Sequence, residues 1–220
     1  MKNTVIKNIA ALSAAALLST SASAIVLDIS SVGDSGIKFG GDSSISFFGN
    51  ADGHVFEVND SDGSVGDSTG LFGSISGVWS IDPWSSNTTT LSGGPGVFQI
   101  WDAAGETFVA DLALMKIGTV LSGGVMNGAS NLSNFSYSGS NADLLELYSW
   151  GSATLSMSFE IANGPSDLTL DYLANTEVES TFSGDLATPV PDGGTTSALL
   201  GFGILAVAAV ARRKGWKKAA

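Results

Sequence analysis

Ala153-Thr154-Leu155-Ser156-Met157-Ser158-Phe159-Glu160-Ile161 alternates apolar and polar residues without a break. A pleated strand points successive side chains to opposite faces. The segment therefore puts Leu155, Met157, Phe159 and Ile161 on one side and Thr154, Ser156, Ser158 and Glu160 on the other. One apolar face and one hydroxyl-rich face describe a half-buried antiparallel strand. The same period recurs upstream, where Ile75, Trp79 and Ile81 share a face with Gly77, and Phe108, Ala110, Leu112 and Leu114 share another. Downstream, Leu168, Leu170 and Tyr172 alternate with Thr169 and Asp171. Residues 25–29, 45–48, 54–58, 97–101 and 178–182 are further strand candidates.

Turn signals separate these runs: Asp52-Gly53, Asp62-Gly63, Gly93-Gly94-Pro95-Gly96, Gly123-Gly124 and Asn163-Gly164-Pro165. One segment, residues 141–150, reads as a short helix, with Leu144, Leu147 and Tyr148 at helical spacing. About ten short strands joined by Gly-rich turns predict an all-β fold, an antiparallel β-sandwich with a jelly-roll-like arrangement.

Charge is segregated along the 220 residues. Lys2 and Lys7 lie at the start, and Arg212, Arg213, Lys214, Lys217 and Lys218 lie at the end. Residues 25–188 hold only Lys38 and Lys116 against every acidic residue but Asp192, two cations against 20 acids, a net −18. Nucleic-acid binding needs clustered Lys and Arg, so this balance excludes it. There is no cysteine, hence neither a disulfide nor thiolate chemistry, and the body must rest on its apolar core.

Residues 1–24 have the layout of a secretory signal peptide. Two lysines precede an apolar run over 9–18, and Ala22-Ser23-Ala24 is a small-x-small cleavage site that predicts a mature chain beginning at Ile25. The body is residues 25–188. Thr188-Pro189-Val190-Pro191-Asp192-Gly193-Gly194 then breaks any helix or central strand. Residues 195–211 are uncharged, about 26 Å long as a helix, and reach the lower limit of a transmembrane span. The basic cluster over 212–218 belongs on the cytoplasmic side, with Trp216 at the interface.

Val190-Pro191-Asp192-Gly193-Gly194, an apolar span and an Arg-Arg-Lys cluster, in that order, closely resemble the PEP-CTERM class of bacterial sorting tails. The nearest variant carries a Val-Pro-Asp-Ser-Gly signature, and Gly193 stands where it usually has Ser. The resemblance covers about residues 189–214. It implies recognition by exosortase, a membrane-embedded transpeptidase-like enzyme of exopolysaccharide-producing bacteria. It also implies removal of the tail after a transient stay in the inner membrane.

The body offers little for catalysis. Gly33-Asp34-Ser35-Gly36 and Gly66-Asp67-Ser68-Thr69-Gly70 look like nucleophile loops, but the only histidine, His54, follows the first. Chymotrypsin-like enzymes run His, Asp, Ser, so that order fails. The residues after the second read as a strand rather than the helix a nucleophile elbow needs. Asn59-Asp60-Ser61-Asp62-Gly63 resembles the middle of a calcium loop but fails the EF-hand pattern at Val58 and Thr69. Asp60, Asp62 and Asp67 remain as a non-EF calcium set, against the plainer reading of a solvated Asp-Gly turn. Trp84, in a Ser-rich loop after Asp82-Pro83, is the best placed tryptophan for stacking on a sugar, whereas Trp79 belongs to the core.

Three function classes compete. First stands a non-catalytic cell-surface or matrix protein sorted by exosortase and associated with exopolysaccharide. Next comes a calcium-assisted carbohydrate-binding module, and last a secreted hydrolase.

Overall fold

A computed structural model describes residues 24–81, 88–119, 125–161 and 169–189. The signal segment up to Ser23, Trp84, the motif Val190 to Gly194, the apolar span 195–211 and the basic cluster lie outside the described residues. Among the described residues no helix is long and apolar enough to cross a membrane.

The alternating run that begins at Ala153 forms β12 (Ala153–Glu160). Leu155, Met157 and Phe159 are buried, while Thr154, Ser156 and Ser158 are exposed. It pairs on both edges, with β11 (Val125–Ser136) on one side and β14 (Phe182–Ala187) on the other. From β14 the sheet runs through β1 (Val26–Ser31), β4 (Phe56–Ser61), β5 (Phe72–Ser76), β9 (Gly96–Trp101) and β10 (Thr107–Thr119). Strand β10 then pairs with β11, so eight antiparallel strands close into a barrel. Short β7 (Thr88–Thr90) adds to β10 beyond the end of β9. A second antiparallel sheet has the order β13 (Glu177–Ser180), β2 (Gly36–Gly40), β3 (Ser44–Phe48), β6 (Val78–Ser80), β8 (Ser92–Gly93).

The all-β, antiparallel expectation therefore holds. The open jelly-roll-like sandwich gives way to a closed ring beside a smaller sheet, and the cause lies in β10 and β11. Their pairing shifts register between Val109 and Asp111 and again between Leu112 and Met115. Asn134 sits within the first irregularity at φ 54, a left-handed conformation that Asn tolerates, and its Nδ2 donates to Asp111 Oδ2 at 2.8 Å. Such bulges bend a strand and raise its twist. Along its outer edge β10 serves β9 with its first half and β7 with its second, and its other edge pairs with β11 to close the eight-stranded ring.

Two helices complete the described fold. Helix α1 (Ala142–Trp150) is the one expected; the Asn141 side chain accepts from the N–H of Leu144 at 2.9 Å and caps it. Helix α2 (Leu170–Asn175) stands where Leu170 and Tyr172 were expected on a strand. Thr169 caps it by accepting from the N–H of Tyr172 at 3.1 Å, Asp171 occupies the first turn, and Leu170, Leu173 and Ala174 turn inward at helical spacing. A three-residue alternation is too short to outweigh a cap and an i, i+3, i+4 apolar set.

One apolar core runs through barrel, small sheet and helices, with Trp79, Phe39, Phe56, Phe98, Phe108 and Phe159 its largest fully buried members. Ile25 is wholly buried beside Thr188: its N–H donates to Thr188 Oγ1 at 3.0 Å, and the N–H of Thr188 donates to its carbonyl at 3.0 Å. The two ends of the body are thus sealed together by the β1–β14 pairing.

Candidate functional site

The three carboxylates expected to share a cation go separate ways. Asp60 lies exposed on β4 and accepts from the N–H of Ser61 at 2.9 Å. Asp62 accepts from the N–H of Val26. Asp67 turns to the first turn of α1, where its two oxygens accept from the N–H groups of Ala142 at 3.0 Å and Asp143 at 3.1 Å. A helix N-terminus presents unpaired N–H groups and a positive dipole end, which suits a carboxylate. Among the described residues no set of three His, Cys, Asp or Glu side chains gathers that could hold a metal ion.

The loop between β4 and β5 folds instead around a residue the sequence reading passed over. Asp143 is fully buried. Its Oδ1 accepts from the N–H groups of Val65 and Gly66, each at 3.2 Å, and its Oδ2 from the N–H of Ser68 at 3.3 Å and the hydroxyl of Ser61. A calcium loop turns carbonyl oxygens inward, and this one turns N–H groups inward onto an anion. Burial pushes the Asp143 pKa up, but the Ser61 hydroxyl and the N–H groups of Val65, Ser68 and Gly66 outweigh it and hold the carboxyl below its ordinary value.

The network continues to the β9–β10 turn. Ser68 Oγ donates to Asn141 Oδ1 at 3.0 Å, and the Asn141 N–H donates to Tyr137 Oη at 2.9 Å. Tyr137 Oη donates to Asp102 Oδ2 at 2.6 Å, and Asp102 Oδ1 accepts from Ala104 and Glu106 N–H groups, each at 2.8 Å. The Tyr137 hydrogen bond, followed by those N–H groups, keeps the Asp102 carboxyl low against the opposing effect of burial. Burial, and then the Asp102 carboxylate, push the Tyr137 phenol up to about 12. The whole assembly ties loop, turn and helix together.

Neither serine that resembles a nucleophile meets a base. Ser35 Oγ donates to the Val55 carbonyl at 2.6 Å and accepts from the Val32 N–H at 2.8 Å, and Ser68 belongs to the network above. His54 stacks on Phe72 with ring centroids 4.5 Å apart and tilts against Trp101. No hydrogen bond joins it to either serine.

An open groove of about 1020 Å³ lies over β1, β14, β12, β11, β10 and β7. Pairing registers lay its solvent-facing residues out in rows. Asp28 stands opposite Asp185, then come Ser156, Ala129, Lys116 and Thr90. The neighbouring row reads Ser30, Ser183, Ser158, Asn127, Gly118 and Thr88. Asp28, Asn127, Ser156, Ser158, Ser183 and Asp185 are exposed, and among the described residues none of their side chains makes a hydrogen bond or ion pair. Lys116 likewise has no ion-pair partner among the described residues, whereas Lys38 is engaged by Glu177 and by Glu179 at 3.4 Å. Ser156 and Ser158 were legible as the outward face of their strand, but the sequence could not say which five strands would lie beside it.

Neither the curated proteins nor the solved structures include a match to this chain. The family comparison bears on the other end of the molecule: residues 189–214 are a VPDSG-CTERM motif, a PEP-CTERM-like C-terminal sorting signal carried by a body that matches no family.

Proposed function

We propose that this chain is a non-catalytic cell-surface or extracellular-matrix protein, sorted by exosortase through its C-terminal tail and associated with exopolysaccharide. The observation that carries the reading is the sorting motif at residues 189–214. It marks an exported, sorted protein, and the signal-like residues 1–24 supply the export step. The apolar segment 195–211, stopped by the basic cluster, then holds the chain transiently in the inner membrane with the body facing outward.

A body with net −18 suits a solvated exterior. The sealed β1–β14 ends support a barrel that stays folded after both tags are gone. Mass spectrometry of the surface-located protein from exosortase-bearing cells tests the sorting step. The expected mass begins at Ile25 and lacks residues from near Pro191 onward; an intact Ala220 on that species refutes processing. Deleting residues 195–220 should release the body as soluble protein, and sedimentation of the truncated chain with membranes would contradict the assignment of the anchor to that segment.

A further inference from the structure

We propose that the groove over β1, β14, β12, β11, β10 and β7 binds an extended polysaccharide carrying free amino groups, a deacetylated amino-sugar chain. This deepens the exopolysaccharide reading by assigning the contact to one surface and one glycan chemistry.

Around Asp143 and Asp102, aspartates and serines are spent on the protein itself. In the groove, Ser156, Ser158, Ser183 and Asn127 point outward with no hydrogen-bond partner among the described residues. Hydroxyl and amide groups both donate and accept, which matches the mixed donors and acceptors of sugar hydroxyls.

The row from Asp28 to Thr90 crosses six strands, five spacings of about 4.8 Å, or about 24 Å of continuous shallow groove. Serine, alanine and glycine keep its floor low, so a linear chain of rings can lie along it. A protein partner is disfavoured because the outward-facing rows carry no large apolar or aromatic side chain to form an interface core. Nucleic acid is disfavoured by the charge of the body.

Charge narrows the ligand further: Asp28 and Asp185 face each other across β1 and β14 without a counter-ion among the described residues, and Asp60 extends the row on β4. Like charges directly opposite repel, and an ammonium group laid between Asp28 and Asp185 relieves that repulsion. Lys116, about 14 Å from Asp185 across three strand spacings, is left to donate to hydroxyls. A uronate chain would meet the carboxylates of Asp28 and Asp185 at the β1/β14 end of the groove.

The test uses the full-length chain in detergent and isothermal titration with a chitosan oligosaccharide, its N-acetylated counterpart, dextran and polygalacturonate. The chitosan oligomer should bind, and the other three should bind at least tenfold more weakly. Ser158→Trp, which fills the middle of the groove, should abolish binding. Asp28→Asn with Asp185→Asn should weaken it at least fivefold, while Asp34→Asn with Asp52→Asn, removing the same charge elsewhere, should leave it unchanged. Melting temperatures of all variants serve as the folding control. Equal weakening by both double variants, or undiminished binding by Ser158→Trp, would mean that a polycation merely coats an acidic protein, and the groove assignment falls. If the chain co-sediments with exopolysaccharide from its own cells but no groove variant changes that, the association stands and the groove is the wrong surface. If the oligomer binds in the groove but exopolysaccharide from those cells is not retained, the site stands and the association falls.

Discussion

The network around Asp143 and the groove over β12 use the same residue types, serine, aspartate and asparagine, and treat them in opposite ways. Around Asp143 both carboxylate oxygens, three backbone N–H groups and the Ser61 hydroxyl are consumed by one another. In the groove the hydroxyls, the amide and the carboxylates of Asp28 and Asp185 make no hydrogen bond or ion pair among the described residues. Composition alone does not distinguish polar groups that build structure from polar groups left for a ligand; the satisfaction of their hydrogen bonds does.

If the distinction is right, the largest loss of stability comes from the network. Asp143→Ala strands the N–H groups of Val65, Gly66 and Ser68 and the Ser61 hydroxyl inside the fold, and should cost about 3 kcal/mol in urea unfolding. A cost below about 1 kcal/mol would show that water replaces the carboxylate freely. Gly63→Ala attacks the same place by volume, since a Cβ there would lie 2.3 Å from Asp143 Oδ1 and 2.9 Å from Ile25 Cδ1. It should cost about 2 kcal/mol, in the range of overpacking, and an unchanged midpoint would contradict the packing described.

Titration sharpens the contrast next. Asp143 and Asp102 have folded-state pKa values below the ordinary 3.8, so their stabilisation is present above about pH 4 and is lost as pH falls through the lower folded values. Tyr137 is shifted the other way, from 10.0 to about 12, so its contribution is complete below pH 10 and disappears between there and 12. Melting temperature should therefore drop at both extremes. In Tyr137→Phe, which also unpairs the Asn141 N–H, the alkaline limb should flatten. An alkaline limb as steep as in the parent would assign the loss to other groups.

These outcomes bear on what the sequence could disclose. The alternation in residues 153–161 was enough to place β12 and to say which of its faces meets water, because a period of two survives any arrangement of neighbours. Barrel closure was hidden, since it depends on register shifts at Val109 and Leu112 that leave no pattern in composition. Strand β11 was missed because its inward face includes Gly128 and Ser130 between Met126 and Leu132, too weakly apolar to stand out. Asp60, Asp62 and Asp67 drew attention through their spacing. Asp143 did not, for it sits in a helix, 82 residues from the Ser61 hydroxyl it accepts from. The sorting motif was legible because it works as a linear signal and needs no fold.

The smallest expected effect lies in the groove, and its sign matters more than its size. Asp28 and Asp185 are direct cross-strand partners, exposed and without a cation beside them. Cross-strand like charges are mildly destabilising, so neutralising one removes a repulsion without stranding any donor. Asp28→Asn and Asp185→Asn should each stabilise the protein by roughly 0.2–0.5 kcal/mol at low salt. The gain should shrink as the ionic strength approaches 1 M, where the screening length of about 3 Å is shorter than the spacing between the strands. Once one partner is neutral the repulsion is gone, so the double variant should gain no more than the better single variant; a double-mutant cycle measures that shortfall directly. Additive gains would place the relief in the general acidity of the body rather than in this pair. A net loss of stability in either single variant would mean that the carboxylate already has a partner, and the groove would then belong with the Asp143 network as structure.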